Sequence, residues 1–289
     1  MKFITSVVNN IKFIELQYYS LKKFYIGDFE YIVFNDAKNF EDSTNNNDTK
    51  LKNKITQKCN ELNIKCIINE NDNHININSS SFRHSTVLDK MLEYQKDNLD
   101  EYIYLDSDIF FIDYFDIQKF REFKCAIVLQ CREYYNTKHH EISDINYIWP
   151  GLCYFNINTN LSLLNWGLAE KCDTGGMSNT FLIDINNDEN YFPKINQIRY
   201  RYNTVINDNI YYIKHLWAYT WNKIDIPDNL KNNSIILELL EGDNRNNENY
   251  ACELYNNNLL HYRAGSGWNE KNLDNIDRFC KLLKDYISK

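Results

Sequence analysis

Glycine, proline and long apolar runs are all scarce in this chain of 289 residues. It contains 8 glycines and 3 prolines, which excludes collagen-like and Pro/Gly-rich disordered classes. No apolar run approaches the ~20 residues that a membrane-spanning helix needs, so we expect no transmembrane segment. Apolar residues make up 43% of the chain and aromatic residues 15%, which is enough for a sizeable buried core.

Positive charge is also in short supply. Lys and Arg together number 32 against 40 Asp and Glu, and the formal net charge is −8. This balance argues against a nucleic-acid partner. The 8 cysteines include no Cys-x-x-Cys pair, and the apolar run after Met1 is too short for a secretory signal. We therefore expect reduced thiols and a cytoplasmic location.

Several common catalytic and nucleotide-binding motifs are absent. The sequence has no GxxxxGK[ST] loop, no GxGxxG, no GxSxG and no HExxH. P-loop, dinucleotide-binding, α/β-hydrolase and zinc-protease functions therefore lack their characteristic residues. The His139-His140 pair lies in a polar stretch without a second ligand cluster, and we interpret it as surface.

Short β-rich runs alternate with helix-period runs in the first third of the chain. This pattern predicts an α/β fold with a mostly parallel central sheet flanked by helices. We expect one domain over residues 1–289, and the segment 196–222 gives no assignable pattern. The predicted strands are 3–8, 31–34, 65–68, 102–105, 109–112, 126–129 and 152–157, and the predicted helices are 11–24, 51–62 and about 80–95.

An Asp-x-Asp triplet, Asp106-Ser107-Asp108, follows the apolar run 102–105. Aspartate is common in this chain, so the bare triplet carries little information. Its position carries more, because ligands of open α/β sheets bind at the carboxyl ends of the strands. Carboxylates at i and i+2 can bind one divalent cation and leave positions for phosphate oxygens. The alternative is a solvated turn between two core strands.

Two further segments combine a reactive side chain with glycines. His261 leaves an apolar run before a glycine-containing turn and could complete a metal site, and Arg263 beside it could pair with phosphate. A structural histidine is the alternative. Asp173 precedes paired glycines and could accept a hydrogen bond from a ligand or act as a general base. It could equally cap a turn.

In their order along the chain, these segments resemble the GT-A glycosyltransferases, most closely the glycogenin-like and lipopolysaccharide-galactosyltransferase-like group. Asp106-Ser107-Asp108 resembles their DXD motif. His261-Tyr262 resembles their HxxGxxKPW metal-ligand motif, one residue short and without the lysine. Ile148 to Ile157 resembles the FNAG-type strand with Trp-Pro in place of Asn-Ala. Asp173 to Leu182 is similar to the acidic donor-sugar segment, and Arg201-Tyr202-Asn203 resembles a later aromatic-Asn motif.

The resemblance implies a GT-A (Rossmann-like nucleotide-diphospho-sugar transferase) fold, with a nucleotide-binding half at 1–115 and an acceptor and sugar half at 116–289. It implies metal-dependent transfer of a sugar from a nucleotide-diphospho-sugar to a glycan or other hydroxyl acceptor. A UDP-sugar is the donor that we expect first. The implied ion is Mn²⁺ or Mg²⁺, held by Asp106, Asp108 and His261. The implied nucleotide-sugar-binding residues are Ser6, Val8, Asn10, Asp36, Arg83, Lys90, Asp106, Ser107, Gly151, Arg263 and Gly265.

The stereochemical outcome stays open at this stage. The glycogenin-like resemblance implies retention without a classical base, whereas Asp173 could serve as the base of an inverting reaction. Two other functions also stay open. One is a sugar-nucleotide- or glycan-binding protein without turnover. The other is a haloacid-dehalogenase-like phosphatase, although the motif of that class has Thr or Val at the position that Phe110 occupies here.

Overall fold

The computed structural model describes residues 1–40, 50–77, 79–136, 141–169, 172–187, 205–206, 209–265 and 270–289. The chain forms two units that interleave along the sequence. Unit 1 comprises Met1–Ser6, Asn71–Asp106 and Ile117–Ile213. Unit 2 comprises Val7–Glu70, Ser107–Asp116 and Lys214–Lys289.

Strands and helices alternate up to about residue 106, as the sequence pattern predicts. The strands of the described residues are β1 (Lys2–Val7), β2 (Glu30–Asn35), β3 (Lys65–Ile68), β4 (Tyr102–Asp106), β5 (Ile109–Phe111), β6 (Cys125–Asn136), β7 (Glu141–Phe155), β8 (Val205–Ile206), β9 (Ile210–Tyr212), β10 (His215–Leu216), β11 (Glu253–Tyr255) and β12 (Leu259–His261). The helices are α1 (Ile11–Phe24), α2 (Leu51–Glu61), α3 (Ser80–Asp97), α4 (Gln118–Arg121), α5 (Asn179–Asn186), α6 (Ser234–Glu241) and α7 (Glu270–Ser288).

Unit 1 is built on a sheet with the strand order β1-β4-β7-β6-β9-β8. Strands β1 and β4 are parallel, as are β6 and β9, while β7 runs antiparallel to both β4 and β6. The Tyr104 hydroxyl of β4 donates a 2.9 Å hydrogen bond to Gln95 of α3. Tyr104 also packs with Phe155 and Trp166, and Phe155 packs with Phe181. These aromatic contacts join α3, α5 and the sheet into one core.

Unit 2 contains a parallel β2–β3 pair, connected through α2, and a four-stranded antiparallel sheet with the order β10-β11-β12-β5. Helices α1 and α7 pack together. The rings of Phe13 on α1, Phe110 on β5, Tyr262 after β12 and Phe279 on α7 lie with centroids 4.5 to 6.5 Å apart. This aromatic core holds the small sheet against the two helices.

The predicted α/β class is confirmed, with parallel N-terminal strands and helices between them. Helix α1 has the predicted bounds, and α2 and α3 end within two residues of prediction. The main difference is the long antiparallel hairpin of β6 and β7, where the sequence predicts only 126–129 and 152–157. The sequence between those two runs is mostly polar. Hairpin pairing satisfies backbone hydrogen bonds without an apolar repeat, so the pattern did not reveal it.

Some other expectations can be followed in the described residues. Seven cysteines in this part of the chain are free thiols, and five of them are buried. No described helix has both the length and the apolar character that crossing a membrane requires. The unassigned segment 196–222 contributes β8, β9 and β10. Three sequence features lie outside the described residues: the His139-His140 pair, Arg201-Tyr202-Asn203, and Trp268, which matches the tryptophan of the HxxGxxKPW motif.

Candidate metal centre

Asp108 lies immediately before β5 and is only 7% exposed. Its Oδ1 is 3.2 Å from Nε2 of His261, and its Oδ2 accepts a 2.8 Å hydrogen bond from the backbone N–H of Gly265. The carbonyl oxygen of Asp108 accepts another 2.8 Å bond from the N–H of Tyr262. Three contacts therefore fix Asp108 against the segment that carries His261.

His261 is the last residue of β12 and lies directly opposite Glu253 of β11. The two strands are joined by a turn in which Asn256 and Asn257 have φ of 48° and 64°. Asparagine tolerates positive φ better than most residues, so these two residues suit the turn. The resulting register brings Nδ1 of His261 to 2.9 Å from Oε2 of Glu253.

Glu253 contacts two histidines in the buried interior of unit 2. Its Oε2 is also 3.2 Å from Nε2 of His215, and it accepts a hydrogen bond from the Tyr255 hydroxyl. Its Oε1 accepts a 3.3 Å bond from the N–H of Ala218. Burial by itself would raise the pKa of Glu253, but His215 and His261 lower that pKa well below its usual range.

The two histidines differ in their electrostatics. Burial lowers the pKa of His215, and this effect exceeds the opposing one of Glu253. Burial would also lower the pKa of His261, but Asp108 and Glu253 on its two sides raise that pKa to about 10. Positive charge at His261 thus compensates buried carboxylates, and a divalent cation beside Asp108 would serve the same purpose.

Asp106 is the half-buried last residue of β4. Within unit 1 it is in register with Ser6 of β1, and its Oδ1 is 3.8 Å from Nε2 of His84 on α3. Within unit 2, an oxygen of Asp108 and Nε2 of His261 are two candidate ligand atoms that lie side by side. A carboxylate and an imidazole are donors that bind divalent cations such as Mn²⁺, and a ligand role of Asp106 stays a prediction.

Gly265 occupies a position with no room for a side chain. A Cβ atom there would lie 2.5 Å from Cε2 of Phe13 and 2.8 Å from both Cβ and Oδ2 of Asp108. The preceding Ala264 has φ of 61°, so the backbone turns sharply before Gly265. The missing side chain lets the Gly265 N–H approach Asp108 within hydrogen-bond distance.

Replacing Gly265 by alanine is expected to displace this turn from Asp108. Overpacking of a buried position typically costs about 1–3 kcal/mol, so we expect the free energy of unfolding in urea to fall by that amount and Mn²⁺ binding to weaken. Gly242→Ala is the matched control. The three atoms nearest to a Cβ at Gly242 all belong to the guanidinium end of Arg278, which can move away. Equal effects of the two substitutions would contradict the prediction.

Asn10 and Asp36, both predicted to bind the nucleoside, have different surroundings. Asn10 is 2% exposed, and among the described residues its side-chain oxygen and nitrogen have no hydrogen-bond partner. Asp36 is also 2% exposed. Its Oδ1 accepts a 2.7 Å bond from Asn69, and its Oδ2 accepts a 2.8 Å bond from Lys38. The Asp36 carboxylate therefore has hydrogen-bond partners within the protein. The side-chain oxygen and nitrogen of Asn10 are buried, and among the described residues they make no hydrogen bond.

The two basic residues predicted as alternatives for the donor contact lie on α3. Arg83 is buried, whereas Lys90 is exposed and its Nζ is 2.7 Å from Glu93. An exposed ion pair of this kind is weak. The burial of Arg83 distinguishes the two residues, and contact of either one with a donor stays a prediction.

Asp173 and Gly151 both belong to unit 1. Asp173 is exposed, and its Oδ1 accepts a 2.8 Å hydrogen bond from the N–H of the next residue, Thr174. A Cβ at Gly151 would lie 2.1 Å from the indole of Trp149, so this glycine lets the ring fold over the backbone. The other predicted contacts are Ser6, Val8 and Ser107, which are half-buried, and Arg263, which is exposed.

Four side chains around the predicted ligands were not singled out from the sequence: Glu253, His215, Tyr255 and His84. The hairpin signal that places Glu253 is present in the sequence, as an Asn-rich turn between two short apolar runs. Glu253 becomes a neighbour of His261 only once the register of that hairpin is known. His84 precedes Asp106 by most of a helix, and only the packing of α3 brings it near.

Comparison with known proteins gives a structural similarity only. No protein-family model matches the chain, and no curated protein matches it. Two solved structures of LgtC are similar to it. For an active-site mutant of LgtC the identity is 12%, the match covers 54% of this chain and 57% of that chain, and the TM-score is 0.35. For the galactosyltransferase LgtC in complex with donor and acceptor sugar analogues, the corresponding values are 12%, 54%, 58% and 0.33. Over little more than half of each chain, this protein is thus similar to a galactosyltransferase.

Proposed function

We propose that this protein is a metal-dependent glycosyltransferase of the GT-A type. It would transfer a sugar from a nucleotide-diphospho-sugar to a hydroxyl group of a glycan or other acceptor. A UDP-sugar is the donor that we propose first. The pairing of Asp108 with His261 within unit 2 is the observation that carries this proposal. Asp108 follows the Asp-x-Asp strand in the sequence, and a distant hairpin supplies a buried imidazole nitrogen beside its carboxylate.

The residues present fit a divalent cation. Asp108 and His261 would be its direct ligands, and Asp106 would contact either the ion or the donor. Gly265 supports this fit, because its lack of a side chain leaves Asp108 accessible to the backbone of the neighbouring turn. When bound, the cation supplies Lewis-acid stabilisation of the diphosphate leaving group. The carboxylates and the imidazole of this chain would hold the cation in position.

Asn10 is the residue that we place against the donor nucleotide. A buried amide without partners costs about 1–3 kcal/mol, a cost that a bound ligand would remove. Helix α1 begins at the next residue and has no acidic side chain in its first turn, so its N-terminus favours an anionic group. Phe13, one turn further along α1, packs against Gly265 beside Asp108.

Asp173 is our candidate base for an inverting reaction. Its exposed carboxylate has only local partners among the contacts seen here, the N–H and the hydroxyl of Thr174. If it is the base, Asp173→Asn should lower kcat by roughly 10²–10⁴-fold, with donor binding unchanged and product of inverted configuration in the wild type. NMR of the product's anomeric proton and steady-state kinetics check this. A retained configuration with full activity in Asp173→Asn would contradict a role as base.

A thermal-shift screen of sugar nucleotides tests the proposed function, with and without Mn²⁺. A donor present at about 100 times its Kd should stabilise the protein by about 2.7 kcal/mol. Product analysis then separates the alternatives. Transfer or hydrolysis of the sugar supports the transferase, and stabilisation without turnover identifies a binding protein. Release of phosphate from phosphomonoesters alone identifies a phosphatase. If no sugar nucleotide or nucleoside diphosphate stabilises the protein with metal, the proposal is wrong.

A further inference from the structure

We propose that Glu253 is a positioning residue that fixes the ring of His261 so that Nε2 faces the cation site, and that His215 and Tyr255 hold Glu253 in that position. This inference rests on the proposed function, because it concerns the same metal centre. It adds a second layer of residues that lies wholly within unit 2.

The two imidazole nitrogens of His261 face carboxylates on opposite sides of the ring. Nδ1 of His261 lies 2.9 Å from Oε2 of Glu253, and Nε2 lies 3.2 Å from Oδ1 of Asp108. An ionised carboxylate accepts hydrogen bonds and cannot donate them, so Nδ1 carries a proton towards Glu253 and, without a cation, Nε2 carries one towards Asp108. A metal ion that binds Asp108 can replace the proton on Nε2 and use its lone pair, while the proton on Nδ1 stays with Glu253.

Glu253 is itself held in place by its neighbours. Its Oε2 receives the Tyr255 hydroxyl and lies 3.2 Å from Nε2 of His215, while its Oε1 receives the N–H of Ala218. The His215 ring is held between two aromatic rings, with centroids 4.1 Å from Trp217 and 4.2 Å from Tyr255. Glu253 is therefore bonded through both oxygens, and it has little freedom to follow a rotating His261 ring.

The strand register makes this arrangement a property of the sheet. Glu253 and His261 are directly opposed on β11 and β12, and His215 of β10 is opposed to Tyr255 of β11. Directly opposed side chains of an antiparallel pair have their Cβ atoms about 4.5–5.5 Å apart. Strands β10 and β11 thus present one continuous set of polar side chains to His261 from the side away from Asp108.

A merely structural role for Glu253 makes a different prediction. A buried ion pair that only stabilises the sheet would change the unfolding of the protein when removed, and the metal affinity of the remaining folded protein would not change. A positioning role makes metal affinity depend on Glu253, and removal of such outer carboxylates typically weakens metal binding by about 10–100-fold. Metal affinity is therefore the decisive measurement.

The experiment measures Mn²⁺ binding by electron paramagnetic resonance of the free ion, with the full-length protein and a nucleoside diphosphate present. We expect Glu253→Ala to weaken Mn²⁺ binding by about 10–100-fold. Glu253→Gln should lose less, because its amide oxygen can still accept the bond from Nδ1. Glu101→Ala is the matched control. Glu101 of unit 1 is likewise a carboxylate held by a tyrosine hydroxyl and a cation, Tyr154 and Arg121, and its loss should leave Mn²⁺ affinity unchanged.

The outcomes separate this inference from the proposed function. Mn²⁺ binding that is equal in the wild type and Glu253→Ala would overturn the positioning role alone. Absence of Mn²⁺ binding by the wild type would overturn the metal centre and the positioning role together.

A second measurement does not depend on folding of the variant. In ¹⁵N-histidine-labelled wild-type protein with Mg²⁺, Nδ1 of His261 should keep its proton while the Nε2 resonance shifts. A proton on Nε2 instead would overturn the inference.

Discussion

Replacement of Asp108 by asparagine is expected to abolish Mn²⁺-dependent binding of a nucleoside diphosphate and, with it, sugar transfer. Asparagine keeps the shape of the side chain and one oxygen, so the hydrogen bond from Gly265 can persist. It removes the negative charge that a hard cation requires. Loss of a direct ligand should weaken Mn²⁺ binding by more than about 100-fold, beyond the range found for outer residues. Calorimetric titration of Mn²⁺ into the protein with UDP measures this change.

Asp116→Asn is a suitable control for the Asp108 variant. Asp116 is an exposed aspartate on the same chain segment, so the substitution removes the same charge without touching the metal centre. Its Mn²⁺ affinity should equal that of the wild type. If Asp108→Asn binds Mn²⁺ as tightly as Asp116→Asn does, Asp108 is not a ligand.

Replacement of Arg245 by alanine is expected to cause the largest loss of stability. The Arg245 guanidinium makes a fork of hydrogen bonds to the carboxylate of Asp243, and it lies 3.7 Å above the ring of Tyr262. It also donates to the backbone carbonyl of Arg263. Removing one partner of a buried ion pair leaves an uncompensated charge, and this typically costs about 3–5 kcal/mol. Urea unfolding of the wild type and Arg245→Ala measures the difference.

The pH dependence of this effect follows from Asp243. Burial by itself would raise the pKa of Asp243, but its bonds to Arg245 and Asn275 lower it. A carboxylate whose folded pKa is lowered contributes stability above its unfolded pKa of about 3.9 and loses it as the pH falls through the folded value. The stability gap between the wild type and Arg245→Ala should therefore be largest near neutral pH and shrink in acid. A gap that widens below pH ~4 would contradict this account.

The double variant Asp243→Asn with Arg245→Met separates charge from packing. Removing both charges leaves no unpaired ion. The loss of stability in the double variant should therefore be less than the sum of the losses in Asp243→Asn and Arg245→Met measured singly. Strictly additive costs would show that the two side chains act independently. Arg245 also donates a hydrogen bond to the carbonyl of Arg263. The Arg245→Met variant should therefore have a less ordered turn before Gly265.

The elements that the sequence predicts well are those with a full apolar run or stripe. Strands β1, β2 and β4 bury most of their side chains, and helix α1 buries half of its side chains along one stripe, so the apolar residues mark each element in the sequence. Strands β10, β11 and β12 have only two or three residues, too few for any period to be recognised. They form because the neighbouring strands supply hydrogen bonds and the aromatic core of unit 2 covers them.

The candidate ligands were found because aspartate and histidine next to apolar runs are chemically conspicuous. Glu253 was missed for a different reason. Its role depends on a cross-strand pairing, and that pairing depends on the backbone conformation of Asn256 and Asn257. The contact between Arg245 and Tyr262 joins residues that no periodicity links. Positions that act through long-range packing cannot be read from local spacing, even when each residue type is suggestive.

The most direct test of the metal centre is the anomalous scattering of Mn²⁺ in crystals grown with a nucleoside diphosphate. We expect one strong anomalous peak bonded to a carboxylate oxygen of Asp108 and to Nε2 of His261, with Asp106 beside the ion or the nucleotide. In the same crystals, Nδ1 of His261 should still contact Glu253. A Mn²⁺ peak elsewhere with His261 still paired to Asp108, or no peak at saturating Mn²⁺, would show that Asp108 and His261 do not form a metal centre.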